Sequence, residues 1–257
     1  MFSNIFDTHA HYTDKAFDSD RDELIKKIHE NGVKYIMLPS VDLKDSEESL
    51  KLSLKYDFVY CAVGIHPENL DAPMINYLNI LKDTAIKNKN KVKAIGEIGL
   101  DYHYEGYDRK KMMDVFADQI DLANELKLPV IIHSRDALAD TMDVLKAHRP
   151  EKCVVHCFSG SAETAREYLN MGFNISFTGV LTFKNARKAL EALAVIPNDR
   201  FMLETDSPYM APVPHRGERC DSSMIPLIAE KAAEIKSTSI QEILDITCKN
   251  AEEFFNI

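Results

Sequence analysis

No apolar run in this sequence of 257 residues approaches the ~20 residues that a membrane-spanning helix needs. The first residues also lack the basic end and long apolar stretch of a signal peptide. Five cysteines are present, but none forms a C-x-x-C pair, so neither a zinc knuckle nor a disulfide framework is indicated. We therefore expect a cytoplasmic protein with reduced thiols and no association with membranes.

Basic residues are in deficit, with 31 Lys and Arg against 41 Asp and Glu and a formal net charge of −10. This balance excludes a protein that coats nucleic acid with a general basic surface, although it leaves room for a local cationic site. Gly-rich or Ser-rich linkers, charge blocks and low-complexity tracts are missing too. We therefore expect a single domain over residues 1–257, and the sequence indicates no obligate protein partner.

Short apolar segments alternate with longer amphipathic ones, a pattern typical of β-α units and a parallel sheet. The pattern predicts strands at 5–7, 35–38, 59–63, 92–95, 130–132, 153–155, 174–177 and 201–203. It predicts helices at 21–31, 43–55, 74–88, 109–126, 137–146, 161–171 and 186–195. Eight strands alternating with helices predict an α/β fold, the (β/α)8 TIM barrel. The tail, 223–257, adds further helices, for which Ser223 and Ser239 are candidate N-caps.

Side chains that bind metals follow several of these strands. His9 and His11 come directly after the first strand and lie two residues apart, so both imidazoles can reach one ion. Taken alone, the pair is equally compatible with solvated or hydrogen-bonded histidines. In a parallel barrel, however, the carboxyl ends of all strands converge on one face, where they bring further candidates: Glu97, His133, His156 and Asp206.

Four histidines and two carboxylates exceed what one ion usually binds, so a site for two divalent ions is the natural assignment. Mg2+, Mn2+ and Zn2+ are the candidate ions. The alternative is a set of separate polar residues, each satisfied by hydrogen bonds in a packed barrel.

The motifs that carry these residues occur in the order DTHAH, GIHP, GEIGLDY, IIHSRDA, HCFSG, FTGVLTFKNA, ETDSPYMAPVPHRG and KNAEEFF. Together they resemble the TatD family of metal-dependent deoxyribonucleases over nearly the whole chain. The resemblance implies a (β/α)8 barrel related to the amidohydrolases, and metal-dependent hydrolysis of DNA phosphodiesters. It also implies the metal ligands His9, His11, Glu97, His133, His156 and Asp206.

Roles follow from this ligand set as hypotheses. One ion would bind His9, His11 and Asp206, the other His133 and His156, and Glu97 would bridge them, so that water is activated between the ions. Asp206 is the candidate general base. His66 is a candidate for binding phosphate or protonating the leaving oxygen, with a structural histidine as the alternative.

The loops after the strands also carry groups that suit nucleic acid. Arg135, Lys184 and Arg216 are candidates to neutralise phosphates, with solvated surface charges as the alternative. Five aromatic residues could stack unpaired bases, although anchoring of loops or core is the commoner role: Tyr102, Tyr104, Phe158, Phe183 and Tyr209. Glu204, two residues before Asp206, is a candidate support for a ligand histidine.

Two loops depart from the family pattern. Glu68 stands where a second histidine often follows the GIHP histidine, and Cys220 and Ser222 stand where Asn and Pro are common. These departures put substrate preference in question more than hydrolysis. The leading hypothesis is a 3′–5′ exonuclease acting on DNA single strands or frayed ends. One alternative is a metal-dependent hydrolase of a carboxylic ester or amide, such as an aminoacyl-tRNA or a cyclic amide. Another is a binding protein whose ions only stabilise the barrel.

Overall fold

The computed structural model describes residues 2–70 and 75–257. Strands and helices alternate along these ranges as predicted, and the fold class is the (β/α)8 barrel with added C-terminal helices. The elements are β1 (Ile5–Asp7), α1 (Arg21–Glu30), β2 (Val33–Leu38), α2 (Leu43–Lys55), β3 (Val59–Val63), α3 (Tyr77–Lys87), β4 (Val92–Asp101), α4 (Arg109–Leu126), β5 (Val130–Arg135), α5 (Leu138–His148), β6 (Cys153–Val155), α6 (Ala162–Asn170), β7 (Asn174–Phe177), α7 (Arg187–Val195), β8 (Phe201–Leu203), α8 (Ile225–Lys236) and α9 (Ile240–Phe255).

The chain divides into two compact units. The terminal unit comprises Met1–Leu38 and Cys157–Ile257 and contains β1, β2, β7 and β8. The central unit comprises Pro39–His156 and contains β3 to β6. A single domain over residues 1–257 therefore stays a prediction.

In the terminal unit, β1 pairs in parallel with β2, and β7 pairs in parallel with β8. Every residue of β1, β7 and β8 is buried, as is usual for parallel strands covered on both faces. Beyond the end of β1, the chain continues beside the segment that follows β8: Ala10 forms a bridge with Ser207, and the N–H of Asp206 donates to the carbonyl of His9 at 2.8 Å. This pairing places the DTHAH segment against Asp206.

In the central unit, β4 is longer than the predicted strand 92–95. Its pairing with β5 is irregular between Ile95 and Ile98 and then resumes from Ile98 opposite Ile132 to Asp101 opposite Arg135. Gly96 and Glu97 interrupt the apolar pattern. For that reason, the strand predicted from the sequence ends too early. Glu97 therefore lies within an extended strand rather than in the loop after one.

Helix boundaries agree with the sequence pattern to within three residues in the described ranges. The predicted helix 74–88 corresponds to α3, and its first residue, Met74, lies outside the described residues. Ser239 caps α9 as predicted, since its hydroxyl accepts the N–H of Glu242 at 3.2 Å. The predicted Ser223 cap is wrong, because the carboxylate of Asp221 accepts the Ser223 N–H and caps a short 3-10 turn before α8.

None of the helices in the described residues combines the length and the apolar character that crossing a bilayer requires.

Replacing Ser239 with alanine removes the cap of α9 and should lower the free energy of unfolding by about 1 kcal/mol. Urea titration followed by circular dichroism measures the loss. Ser223→Ala is the matched control, because that exposed hydroxyl accepts no helix N–H in the described residues. The control should change the free energy of unfolding by less than about 0.5 kcal/mol. Equal losses in the two variants would contradict the assignment of the caps.

Candidate metal centre

Three predicted ligands of the terminal unit converge after β1 and β8. Nε2 of His9 lies 3.1 Å from Nε2 of His11, and Oδ1 of Asp206 lies 3.4 Å from His11 Nε2 and 3.7 Å from His9 Nε2. Ligand atoms about 2.0–2.2 Å from a tetrahedral ion are about 3.3–3.6 Å apart. These three atoms therefore fit the coordination of one divalent ion with little rearrangement. We call this set the terminal cluster.

The backbone around Asp206 explains how the terminal cluster is held. Asp206 has a φ of 58°, in the left-handed region, which costs a residue with a side chain of order 1 kcal/mol and is best tolerated by Asp and Asn. Hydrogen bonds from Asp206 N–H to His9 C=O and from His11 N–H to Ser207 C=O, at 2.8 and 2.7 Å, hold the conformation. The chain thus adopts a strained backbone conformation at a predicted ligand.

A buried carboxylate behind the terminal cluster was not predicted. Asp7 is fully buried and accepts hydrogen bonds from the Thr205 N–H at 2.9 Å, the Thr205 hydroxyl at 2.6 Å and the Ser222 hydroxyl at 2.7 Å. Burial raises the pKa of Asp7 to about 7 even though these donors oppose the shift. Ser222, one of the departures from the family pattern, thereby links β1 to the segment after β8. The signal in the sequence was the Asp that opens DTHAH.

Glu97, His133 and His156 converge in the central unit. Oε1 of Glu97 lies 2.8 Å from Nε2 of His156 and 2.9 Å from Nδ1 of His133, and these two nitrogens are 3.2 Å apart. Glu97 is only 3% exposed. An isolated carboxylate at this depth would be costly, so the contacts with the two histidine nitrogens, or with an ion between them, are needed to stabilise it. We call this set the central cluster.

Asp101 determines which nitrogen of His133 faces Glu97. Its Oδ2 accepts from Nε2 of His133 at 2.8 Å, and its Oδ1 accepts the N–H of His103 at 2.8 Å. Burial raises the pKa of Asp101, but these hydrogen bonds outweigh burial and its pKa lies below the usual value. The ionised carboxylate keeps the proton on Nε2, which leaves the Nδ1 lone pair of His133 for an ion.

Asp101 was not among the site residues predicted from the sequence. It lies in the GEIGLDY motif, four residues after Glu97, but the predicted strand ended before it. Without the continued pairing of β4 with β5, nothing indicated that Asp101 would lie beside His133.

His66 is placed as a hydrogen-bond donor at the edge of the central cluster. Its Nδ1 accepts the N–H of Glu68 at 3.2 Å, so the neutral ring carries its proton on Nε2. That nitrogen lies 3.5 Å from Oε1 of Glu97. His66, Glu97 and His133 also bring three ligand atoms within 4.8 Å of one another, so the position suits binding of an ion as well as donation to a substrate oxygen.

Glu204 acts on the backbone beside a ligand. One of its oxygens accepts the N–H of Cys157 at 2.6 Å, and the other accepts the Ser176 hydroxyl at 2.6 Å. Cys157, the residue after His156, has a φ of 46° and so adopts the left-handed conformation. Glu204 therefore contacts the peptide N–H that follows His156, a predicted ligand, rather than the imidazole itself.

The three candidate phosphate-binding cations make no ion pair within residues 2–70 and 75–257. The guanidinium of Arg135 lies 5.5 Å from the ring centre of Tyr104, and that of Arg216 lies 4.3 Å from the ring centre of Phe183. Lys184 is exposed in the connection between β7 and α7. Arg219, by contrast, is neutralised by two hydrogen bonds to Asp20, at 2.7 and 2.6 Å.

Comparison with known proteins agrees with the motifs. A family model described as TatD related DNase matches residues 6–256. The chain belongs to the TatD family. It is 40% identical to the uncharacterized metal-dependent hydrolase YabD of Bacillus subtilis over 255 residues, which cover 98% of this chain and 99% of that protein. It is 34% identical to the uncharacterized metal-dependent hydrolase YcfH of Escherichia coli K12 over 258 residues, which cover 98% and 96%.

A solved TatD homologue gives the same answer for the fold. The crystal structure of YJJV from Escherichia coli K12 matches this chain with a TM-score of 0.94 and 28% identity, over 100% of both chains. The resemblance to the TatD family and the fold class predicted from the sequence are thus confirmed. The protein is a TatD family metal-dependent hydrolase.

Addition of Mn2+ to EDTA-treated protein should raise the thermal midpoint by about 5–10 °C at a hundredfold excess over the dissociation constant. The increase should fall by at least half in a variant that carries both His9→Ala and His11→Ala, because the terminal cluster loses two of three ligands. Differential scanning fluorimetry measures the shift. His148→Ala, which removes a surface histidine paired with Asp121, should keep the full increase.

Asp101→Asn should weaken metal binding about 10–100-fold, because the amide lacks the charge that orients His133. Competition with a fluorescent chelator measures the affinity, and 15N NMR of wild-type His133 should show its proton on Nε2. Asp136→Asn is the control, since Asp136 pairs with the exposed His103. A loss of the same size in the control would refute the orienting role of Asp101.

Proposed function

We propose that this TatD family protein hydrolyses the phosphodiester bonds of DNA, as a 3′–5′ exonuclease acting on single strands or frayed ends. The observation that carries the proposal is the spacing of ligand atoms within the two clusters. Within each cluster, the histidine and carboxylate ligand atoms lie 2.8–3.7 Å from one another, as donors to a divalent ion do. The family description, which names a DNase, supports the substrate.

The proposed assignment of ligands follows the clusters. His9, His11 and Asp206 would hold one ion, His133 and His156 a second, and Glu97 would bridge, since strand ends of a parallel barrel meet at one face. Two divalent ions, Mg2+, Mn2+ or Zn2+, supply when bound an acidified water and positive charge for the phosphoryl oxygens. Glu97 suits a shared position because one oxygen already contacts both histidines of the central cluster.

The protein's own side chains would move the protons. Asp206 is the proposed general base, because its carboxylate is partly accessible at 14% exposure and is fixed by a hydrogen-bonded backbone. His66 would donate from Nε2 to a phosphate oxygen or to the leaving oxygen. Arg135, Lys184 and Arg216 would neutralise phosphates of the bound strand.

Asp206→Asn should lower kcat at least about 100-fold, because the amide cannot accept the proton of the attacking water. Turnover is measured on a labelled single strand with saturating Mn2+, and circular dichroism verifies the fold. Metal content must be measured in parallel, since Asp206 is also a proposed ligand. Turnover near the wild-type value would exclude the role as general base.

The proposed function is tested by digestion of oligonucleotides labelled at the 5′ end, single- and double-stranded, with Mg2+, Mn2+, Zn2+ or EDTA. Wild-type protein should shorten the single strand stepwise from its 3′ end, and EDTA, Glu97→Ala and His133→Ala should each abolish the ladder. His148→Ala should cleave as the wild type does. If folded, metal-loaded wild type cleaves no oligonucleotide, the DNase proposal fails, and carboxylic ester and cyclic amide substrates become the next assay.

A further inference from the structure

An exposed tyrosine lies against an arginine in the central unit, close to the metal ligands. Tyr104 is 58% exposed, and the guanidinium of Arg135 lies 5.5 Å from its ring centre. The ring of His103 meets Tyr104 edge-on, with centres 5.0 Å apart, and His103 itself pairs with Asp136 at 3.0 Å. The tyrosine is thus contacted by two neighbours and still offers more than half of its surface to solvent.

The segment that carries Tyr104, residues 102–108 between β4 and α4, is anchored on both sides of the tyrosine. Tyr102 stacks on Tyr107 with ring centres 4.5 Å apart and planes 5° apart. The Tyr102 hydroxyl donates to Asp140 at 2.6 Å, and the Arg109 guanidinium donates two hydrogen bonds to the same carboxylate, at 2.5 and 2.7 Å. Such anchoring lowers the entropy cost of using Tyr104 as a contact.

Arg135 forms no salt bridge in the described part of the chain, although its charge helps to lower the pKa of Asp101, the residue opposite it on β4. Other arginines of this acidic protein are neutralised, Arg109 by Asp140 and Arg219 by Asp20. Guanidinium over an aromatic ring is an arrangement that binds phosphate while the ring binds a base. The pair therefore has the chemistry of a nucleotide, with a planar apolar face beside an anion.

The position of the pair relates it to the reaction. Arg135 follows the predicted ligand His133 by two residues on β5, so both side chains leave the same side of the strand, from Cα atoms about 6.6 Å apart. A phosphate bound by Arg135 would therefore be near one bound at the predicted ligands.

We propose that Tyr104 and Arg135 form a subsite for the nucleotide next to the scissile phosphate of single-stranded DNA, with its base stacked on Tyr104 and its phosphate on Arg135. The inference rests on the proposed function and adds the contact that would produce its preference for single strands. Paired bases keep their faces inside the duplex, whereas an unpaired base is free to stack on an aromatic ring. The subsite accepts any base, since every base has such a face.

Three substrates separate the parts of this proposal: a single strand, the same strand with an abasic residue next to the cleaved bond, and bis(p-nitrophenyl) phosphate, a diester without a neighbouring nucleotide. Tyr104→Leu should lower the ratio of kcat/KM for the strand to kcat/KM for the small diester about 10-fold, mainly through KM. The ratio for the abasic strand should not fall. Tyr104→Phe should restore the wild-type ratio, because it restores the ring.

Arg135→Gln should lower the ratio for the intact and the abasic strand alike, because both keep the phosphate. Arg149→Gln is the matched control: Arg149 is an exposed arginine at the end of α5, ahead of β6, and its removal changes net charge equally. If Tyr104→Leu lowers hydrolysis of all three substrates equally, or of none, the subsite is refuted. If Arg149→Gln lowers the ratio as much as Arg135→Gln does, a general effect of charge explains the loss and the phosphate contact of the subsite is refuted.

Binding without turnover keeps this inference distinguishable from the proposed function. Fluorescence anisotropy of a labelled thymidine oligonucleotide in EDTA measures affinity where cleavage is absent. If wild type binds and Tyr104→Leu binds about 10-fold more weakly, the subsite stands even when no substrate is cleaved and the DNase proposal fails. If the wild type cleaves the strand but the variant binds it equally well, the DNase proposal stands and the subsite fails.

Discussion

The resumed pairing of β4 with β5 is the constraint on which the central unit's chemistry depends. It sets Gly99 opposite His133 and Asp101 opposite Arg135. Gly99 has a φ of +146°, and a Cβ there would lie 1.9 Å from the His133 carbonyl oxygen, so the strands could not approach with any other residue. That close approach puts an ionised carboxylate beside one nitrogen of His133 and directs the other nitrogen to Glu97. Orientation of a ligand is thus decided by strand register.

The terminal unit also holds its histidine-bearing segment in place, but with hydrogen bonds beyond the strand ends rather than with a long strand pairing. Its strands are short, and hydrogen bonds beyond their ends carry the alignment: Asp206 to His9, His11 to Ser207, and two bonds from Thr205 to Asp7. A buried carboxylate accepting several donors is rigid, because each donor would lose a partner if it moved. In both units, then, a carboxylate that is not itself a predicted ligand supports a histidine-bearing segment.

The sequence was sufficient for the barrel and for the candidate ligands within each unit, since strand alternation and the ends of parallel strands follow from local pattern. It was insufficient wherever the decisive partner was distant in sequence or the pattern was broken. Because Gly96 and Glu97 break the apolar pattern, the second half of β4 was not predicted, and the position of Asp101 beside His133 was not predicted either. Glu204 could be predicted as a residue near the site, but its hydrogen bond with the Cys157 N–H could not. The left-handed conformation of Cys157 has no signal in the sequence. Ahead of α8, the sequence pattern predicted Ser223 as a cap, but the carboxylate of Asp221 caps a short 3-10 turn there and accepts the Ser223 N–H.

The two clusters differ in how their residues are distributed along the chain, and this difference bears on assembly during synthesis. Glu97, His133 and His156 all belong to one continuous segment, Pro39–His156, so their unit is complete while the rest is still being made. His9 and His11 precede this segment, and their partner Asp206 follows it, beyond β8. The terminal cluster therefore draws its residues from both sides of the central segment. On the proposed ligand assignment, every residue of the central cluster is synthesised before Asp206, so the terminal cluster is the last to have its full set of ligands.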